Sequence, residues 1–218
     1  APTEKPGLAS ITASLLTQGT TRRSATQISR EIDFIGGSLS ASGGTDFASA
    51  GLRVLKKDIR IGLDLLSDVL LHPVFDQKEI DRKVKEMLAE IRRQKDEPGV
   101  VADEAFEKAV FGGHAYGTTS DDVAVYLPKL DRQDIVNFHA ARYSSHNTII
   151  AVVGDVKEKE IVGLLNEYFK SWQRKEQPLP APVQPPAIGK TVVQKINKDI
   201  TQANVVMGHI GINRENPD

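Results

Sequence analysis

The chain has 218 residues, 39% of them apolar and 26% charged, which supports a real core and excludes a disordered composition. Its 28 basic and 29 acidic residues leave a net charge of -1, so composition offers no general basic face for nucleic acid. Cysteine is absent, which excludes disulfides, thiol catalysis, iron–sulfur clusters and cysteine zinc knuckles. No apolar run nears the roughly 18 residues that a membrane span requires.

Residues 1–6 form a polar lead-in. GLASITASLL at 7–16 is small, apolar and free of breakers, which predicts a short buried helix closed by Gly19. Ser10 and Ser14 lie one turn apart on one side of it. SATQ at 24–27 is a capping-box pattern, and Ile28, Ile32 and Ile35 follow at helical spacing up to Gly36-Gly37. The period then changes. Leu39, Ala41 and the run from Phe47 to Leu55 predict two strands joined around Gly43-Gly44. Asp58 is placed to cap a helix carrying Ile61, Leu65, Leu66, Val69 and Leu70, which stops near Pro73.

Asp76 is the expected cap of a long helix to about Lys95, with Ile80, Val84, Met87 and Ile91 as its stripe. Pro98-Gly99 ends it, and a further helix runs from about Val101 to Val110. FGGHAYG at 111–117 reads as loop. Asp131 caps another helix, with Ile135 and Phe138 inward. Thr148–Val153 is a strongly apolar strand candidate ending at Gly154-Asp155, and Lys159–Trp172 an amphipathic helix. Five prolines in 173–190 predict an extended linker. Thr191–Ile196 and Ala203–Met207 again read as strands, and 28 residues are too few for an independent domain.

No local chemical motif stands out. The five histidines, His72, His114, His139, His146 and His209, form no HExxH or HxxEH. No nucleophile elbow or phosphate loop is present, and Ser10 and Ser14 have no base nearby in sequence. Glu90 falls about 80° around the helix from Ile80, beside the stripe rather than opposite it, with Lys83 two turns above it. It reads either as a boundary glutamate paired with Arg92 or Arg93, or as a carboxylate aimed into a cleft.

GLASITASLLTQGT resembles the zinc-ligand helix of the M16 peptidase family (insulinase, pitrilysin and mitochondrial processing peptidase), whose pattern is GLAHxxEHxxxxGT. Gly7, Leu8, Ala9, Gly19 and Thr20 match. The two zinc-binding histidines are Ser10 and Ser14, and the water-activating glutamate is Ala13. The family's third ligand is a later helical glutamate; Glu90, 76 residues beyond Ser14, fits that place. The acidic residue two turns before it is Lys83 here. IDFIGGSLSASGGTDFA resembles the family's strand along the bound peptide, with Ser40 for the usual asparagine. HPVFDQKEI, HAYG at 114–117, RYSSHNTIIAVVGDV and QANVVMGHIGINRENPD also resemble family segments, in family order.

The resemblance implies an α+β fold, with a mostly antiparallel sheet carrying helices on one face. It implies a first domain over 1–172 lacking its leading strands, a Pro-rich linker over 173–190 and the opening strands of a second homologous domain over 191–218. The chain thus reads as a fragment of a longer subunit. Ser10, Ala13, Ser14 and Glu90 become degenerate site positions with no catalytic residue and no metal. Ser38, Leu39, Ser40 and Ala41 become a peptide-edge strand open to strand addition. The resemblance further implies a non-catalytic subunit without its own cofactor, catalytically inactive alone. Zinc is expected in a catalytic M16 partner that encloses peptides with it. An Arg and a Tyr from the chain's second half would complete that partner's site. The other partners implied are that second half and the peptide substrate. The alternative is a structural subunit without a peptidase role, similar to the core proteins of respiratory complex III. Neither nucleic acid nor a membrane span is expected, and a soluble protein of bacterial cytoplasm or periplasm is.

Overall fold

A computed structural model describes residues 2–175, 183–187, 189–212 and 216. Eight α-helices and one hairpin make up its regular structure among these residues, with four short 3-10 turns between them. The helices are α1 (Leu8–Leu15), α2 (Ala25–Phe34), α3 (Ile59–Leu71), α4 (Gln77–Gln94), α5 (Pro98–Phe111), α6 (Ser120–Tyr126), α7 (Arg132–Arg142) and α8 (Glu158–Phe169). The strands β1 (Ser38–Gly43) and β2 (Ala48–Arg53) pair antiparallel, in register from Ser38 opposite Arg53 to Gly43 opposite Ala48.

Helix α1 is the centre of the core. Eight residues cannot hold a helix in water, so tertiary packing must. Leu8, Ile11 and Leu15 are buried among Ile28 of α2, Val69 of α3, Ile80 and Ile91 of α4 and Ile135 of α7. Each such side chain contributes about 1.5–3 kcal/mol when fully buried. Gly7 opens the helix at φ 84°, a left-handed position that excludes most side chains. A β-carbon there would also stand 2.8 Å from Val123 Cγ1.

The caps follow the sequence closely. Ser24 and Gln27 form the reciprocal capping box of α2. Asp76 accepts from the Lys78 amide at the head of α4, and Asp131 from the Asp134 amide at the head of α7. Asp58 departs from expectation. It sits at the N-cap of α3 with φ -105° and ψ 8°, outside the extended geometry that aims a carboxylate at the first turn, and makes no side-chain cap.

Helices cover one face of the hairpin. Leu39, Ala41, Ala50 and Leu52 turn toward α1, α2 and α3, while Ser38, Ser40, Ser42 and Arg53 are exposed on the other face. The α+β class holds, but the sheet has two strands among the described residues. The expected strand at Thr148–Val153 is not one. It has no ladder there, and Ile149 and Val153 are 95% and 98% exposed. A strand exists by the backbone beside it, so apolar composition alone does not make one. Thr191–Ile196 and Ala203–Met207 likewise carry no strand. Much of the proline-rich run and the last residues of the chain lie outside the described residues.

Three other expectations shift. Pro98 begins α5 at its first turn, where its missing amide costs nothing, so that helix starts three residues earlier than expected. Ile61 is 43% exposed, because Gly62 takes the inward place against Leu52 and Val54. Helix α6 was not expected from the sequence; a Thr119–Asp122 capping box starts it.

Candidate functional site

The site begins at the contact of α1 with β1. Gly43 lies so close to α1 that a β-carbon on it would stand 2.4 Å from the Ala9 carbonyl oxygen and 3.1 Å from Ala13 Cβ. Glycine is required there by close approach rather than by backbone angle. Ala13 is fully buried beneath the strand. Ser10 and Ser14, one turn apart, are half-buried on the same helix. The Ser14 hydroxyl donates to the Ile11 carbonyl oxygen at 2.8 Å, within its own turn.

Helix α4 packs on α1 through Ile80 and Ile91, with Val84 and Met87 at the margin. Glu90 is on that helix, its side chain 48% exposed. Its carboxylate accepts from Arg93 Nη2 at 2.6 Å and Nε at 3.0 Å, and from Gln94 Nε2 at 3.0 Å. These hydrogen bonds, Arg93 first, outweigh a small desolvation and hold its carboxyl below the ordinary range. Lys83 is paired with Glu86, and Arg82 with Glu79 and Glu86. Arg82 also donates to Gln18 beyond the end of α1 at 2.6 Å. The four positions therefore present two hydroxyls, one methyl group and one carboxylate committed to Arg93. Among the described residues no three His, Asp or Glu side chains converge as a metal group would require.

At the tip of the hairpin, Tyr116 donates its hydroxyl to Asp46, 2.8 Å from Oδ2. Tyr116 is packed edge-on against Phe111 and His114, and His114 Nδ1 accepts from the Tyr116 amide. The HAYG segment noted in the sequence is thus the clamp on the turn between β1 and β2. The Asp46 contact spans 70 residues, and no local pattern reveals it. The outer edge of β1, with Ser38, Leu39, Ser40 and Ala41, has no ladder partner among the described residues.

The turn after α1 is locked by charge. Thr20 Oγ1 accepts from the amides of Arg22 and Arg23 and donates to Asp68 Oδ2 at 2.8 Å. Arg23 donates to Asp68 at 2.8 Å, and also to Asp64 and Glu31. Desolvation opposes the Arg23 charge, but the bonds to Asp68 and Asp64 outweigh it and raise its pKa further. This network fixes the end of α1 to α3 and joins residues more than 40 positions apart, so no local pattern reveals it.

The profile described as "Insulinase (Peptidase family M16)" matches residues 1–135, more than half of the chain. The chain belongs to peptidase family M16. The profile described as "Peptidase M16 inactive domain" matches residues 129–218 of this M16 chain. An uncharacterized zinc protease of Streptomyces coelicolor is 27% identical over 205 residues, 92% of this chain and 45% of the relative. One of Mycobacterium leprae is 31% identical over 167 residues, 76% of this chain and 37% of the relative. The chain thus spans less than half the length of these relatives. A peptidase M16 inactive domain from Pseudomonas fluorescens superposes with a TM-score of 0.76 at 27% identity, covering 84% of this chain and 44% of that one. A protease from Helicobacter pylori gives the same TM-score at 22% identity, 84% of this chain and 45% of that one, and shows the shared fold. No helix among the described residues is long and apolar enough to cross a membrane.

Proposed function

We propose that this M16 chain belongs to a non-catalytic subunit that pairs with a zinc-bearing M16 homologue and helps it enclose and cleave peptides. The observation that carries this reading is the chemistry of α1 and α4. Zinc peptidases use three protein donors, mainly imidazole and carboxylate, and leave one position for water. Two neutral hydroxyls and a carboxylate bound to Arg93 do not fit that donor set. Ala13 has no group to take a proton from water, and it is buried beneath Gly43. The match to the inactive-domain profile supports the same reading.

The contribution left to this chain is shape. The open edge of β1 offers backbone donors and acceptors to an extended peptide, as strand addition requires. The Tyr116–Asp46 clamp and the Ala9–Gly43 contact keep that edge fixed before the peptide arrives. Such pre-ordering lowers the entropic cost of binding.

The test measures zinc and peptide cleavage on the purified full-length subunit, alone and mixed with the zinc-bearing M16 homologue of the same organism. No zinc and no cleavage alone, with cleavage gained on mixing, is the expected result. About one zinc per chain with cleavage by the subunit alone overturns the proposal. Pairing without any gain in cleavage assigns the structural role instead.

A further inference from the structure

Residues of α2, α3 and α8 line an open groove of about 670 Å³. That volume lies within the roughly 300–1,000 Å³ of clefts that hold a ligand-sized group. Its apolar surface comes from Phe34, Ile35, Ile61 and Tyr168. Phe34 is 90% exposed, an unusual place for a phenyl ring at the end of a well-formed helix.

The charges around the groove are nearly all neutralised within the protein. Glu31 and Asp64 are bound to Arg23, and Arg60 to Glu167 at 3.2 Å. Arg30 is the exception. It lies one turn before Phe34 on the same face of α2, is exposed, and has no acidic partner among the described residues. An uncompensated guanidinium beside an exposed phenyl ring is complementary to a carboxylate beside an apolar side chain. Glu31, Asp64 and Glu167 are already bound to Arg23 and Arg60, which leaves Arg30 as the charge that a partner meets.

We infer that this groove docks an acidic peptide segment of a partner protein, an apolar side chain resting on Phe34 and Ile61 and a neighbouring carboxylate paired with Arg30. No lining residue of the groove belongs to β1. The segment is recognised by the alternation of acidic and apolar side chains, and binding weakens with salt.

The experiment is fluorescence anisotropy on the full-length subunit with a labelled dodecapeptide repeating Glu-Phe-Asp-Leu. Controls are the same peptide with Lys for both acids, and with Ser for both apolar residues. The acidic apolar peptide is expected to bind, and both controls to bind at least about tenfold more weakly. Arg30→Glu is expected to weaken the acidic peptide by about tenfold or more and to improve the lysine peptide. Phe34→Ser is expected to weaken both. Both side chains are exposed, so circular dichroism and melting temperature should be unchanged. Absence of binding up to about 1 mM overturns the proposal, as does equal binding by wild type and Arg30→Glu. Self-association in sedimentation that Phe34→Ser abolishes overturns it in favour of a second copy. Binding to phosphatidylcholine–phosphatidylserine vesicles that depends on Phe34 overturns it in favour of a membrane surface.

Discussion

Gly43 of β1 and Ala9 of α1 approach so closely that the strand has no space for a β-carbon, which would meet the Ala9 carbonyl oxygen at 2.4 Å. The obstacle is backbone, so no rotamer change relieves it. Gly43→Ala should push the hairpin off α1 and cost about 1–3 kcal/mol in urea unfolding. Gly44→Ala, whose β-carbon meets nothing nearer than 3.7 Å, serves as the control and should change little. Equal midpoints for the two variants would show that the helix–strand contact is not tight.

The degenerate site can be probed by adding back what it lacks. Ser10 and Ser14 are half-buried, so each has an outlet for an imidazole ring. Ser10→His combined with Ser14→His supplies two imidazoles one turn apart, with Glu90 available once it leaves Arg93. The double variant should bind zinc in the micromolar range, about -8 kcal/mol, by calorimetry. Adding Glu90→Gln should weaken it by tenfold or more. A double variant whose affinity ignores Glu90→Gln would remove Glu90 from the site. Cleavage is not expected even with zinc bound, because Ala13 supplies no base.

Much of the architecture was legible because it is local. The 3.6-residue stripes of α2, α4 and α7 and the caps Ser24, Asp76 and Asp131 depend on neighbours in sequence. What failed was non-local or geometric. The apolar run at 148–153 has strand composition, but composition cannot supply a ladder. Asp58 is the right residue for a cap in the wrong backbone angles. Pro98 was expected to end one helix, whereas it opens the next. At the candidate site, the small residues of α1 were legible through their positions in the family pattern. The pairing of Glu90 with Arg93 was one of two readings left open by its place on the helix. The Gly43–Ala9 contact and the Tyr116–Asp46 clamp join segments tens of residues apart, beyond the reach of any window.

The clamp makes its own prediction. Tyr116→Phe removes the hydroxyl that reaches Asp46 but keeps the ring packed on Phe111 and His114. The bond is exposed and charge-assisted, so its loss should cost about 1 kcal/mol. Hydrogen exchange should quicken at the amides of residues 43–48 while those of α1 stay protected. Uniform quickening throughout the chain would assign Tyr116 to global stability instead of to the hairpin tip.

Asp68 carries the turn after α1. Its side chain is fully buried and receives Thr20 and Arg23. Asp68→Ala removes the carboxylate and leaves the Arg23 charge without its buried partner. Arg23 keeps Asp64 and Glu31, so the loss is that of the charge-assisted hydrogen bonds to Asp68, about 2–3 kcal/mol. Thr20→Val removes one neutral donor and should cost about 1–2 kcal/mol. Chemical denaturation of both variants checks the order; a larger loss for Thr20→Val would mean that the hydroxyl, not the ion pair, holds the turn.

Stability should fall in two stages as the solution is acidified. His139 is partly buried between the edge of Phe75 and the stacked ring of Tyr143, and its Nε2–H donates to the Leu70 carbonyl oxygen. Burial dominates and lowers its pKa below the ordinary value; the Leu70 bond opposes this and the Lys175 charge reinforces it. The unfolded chain therefore takes up the proton first, near pH 6.5, and stability declines below that value until the folded imidazole also titrates. Asp64 contributes to the second stage, together with Glu86, Glu90, Asp122 and Asp134, whose carboxyls are also held below the ordinary range by their hydrogen-bond partners. Burial would raise the Asp64 pKa, but Arg23 and Arg22 overcome this and lower it. Its contribution is complete above the ordinary carboxylate range, near pH 4, and is lost as the pH falls through the depressed folded value. Urea midpoints measured from pH 7.5 to pH 3 should show both declines. His139→Gln, which keeps a donor for Leu70, should flatten the first and leave the second. Asp64→Asn should make the second decline shallower and leave the first. A first decline that persists in His139→Gln would assign it to another group.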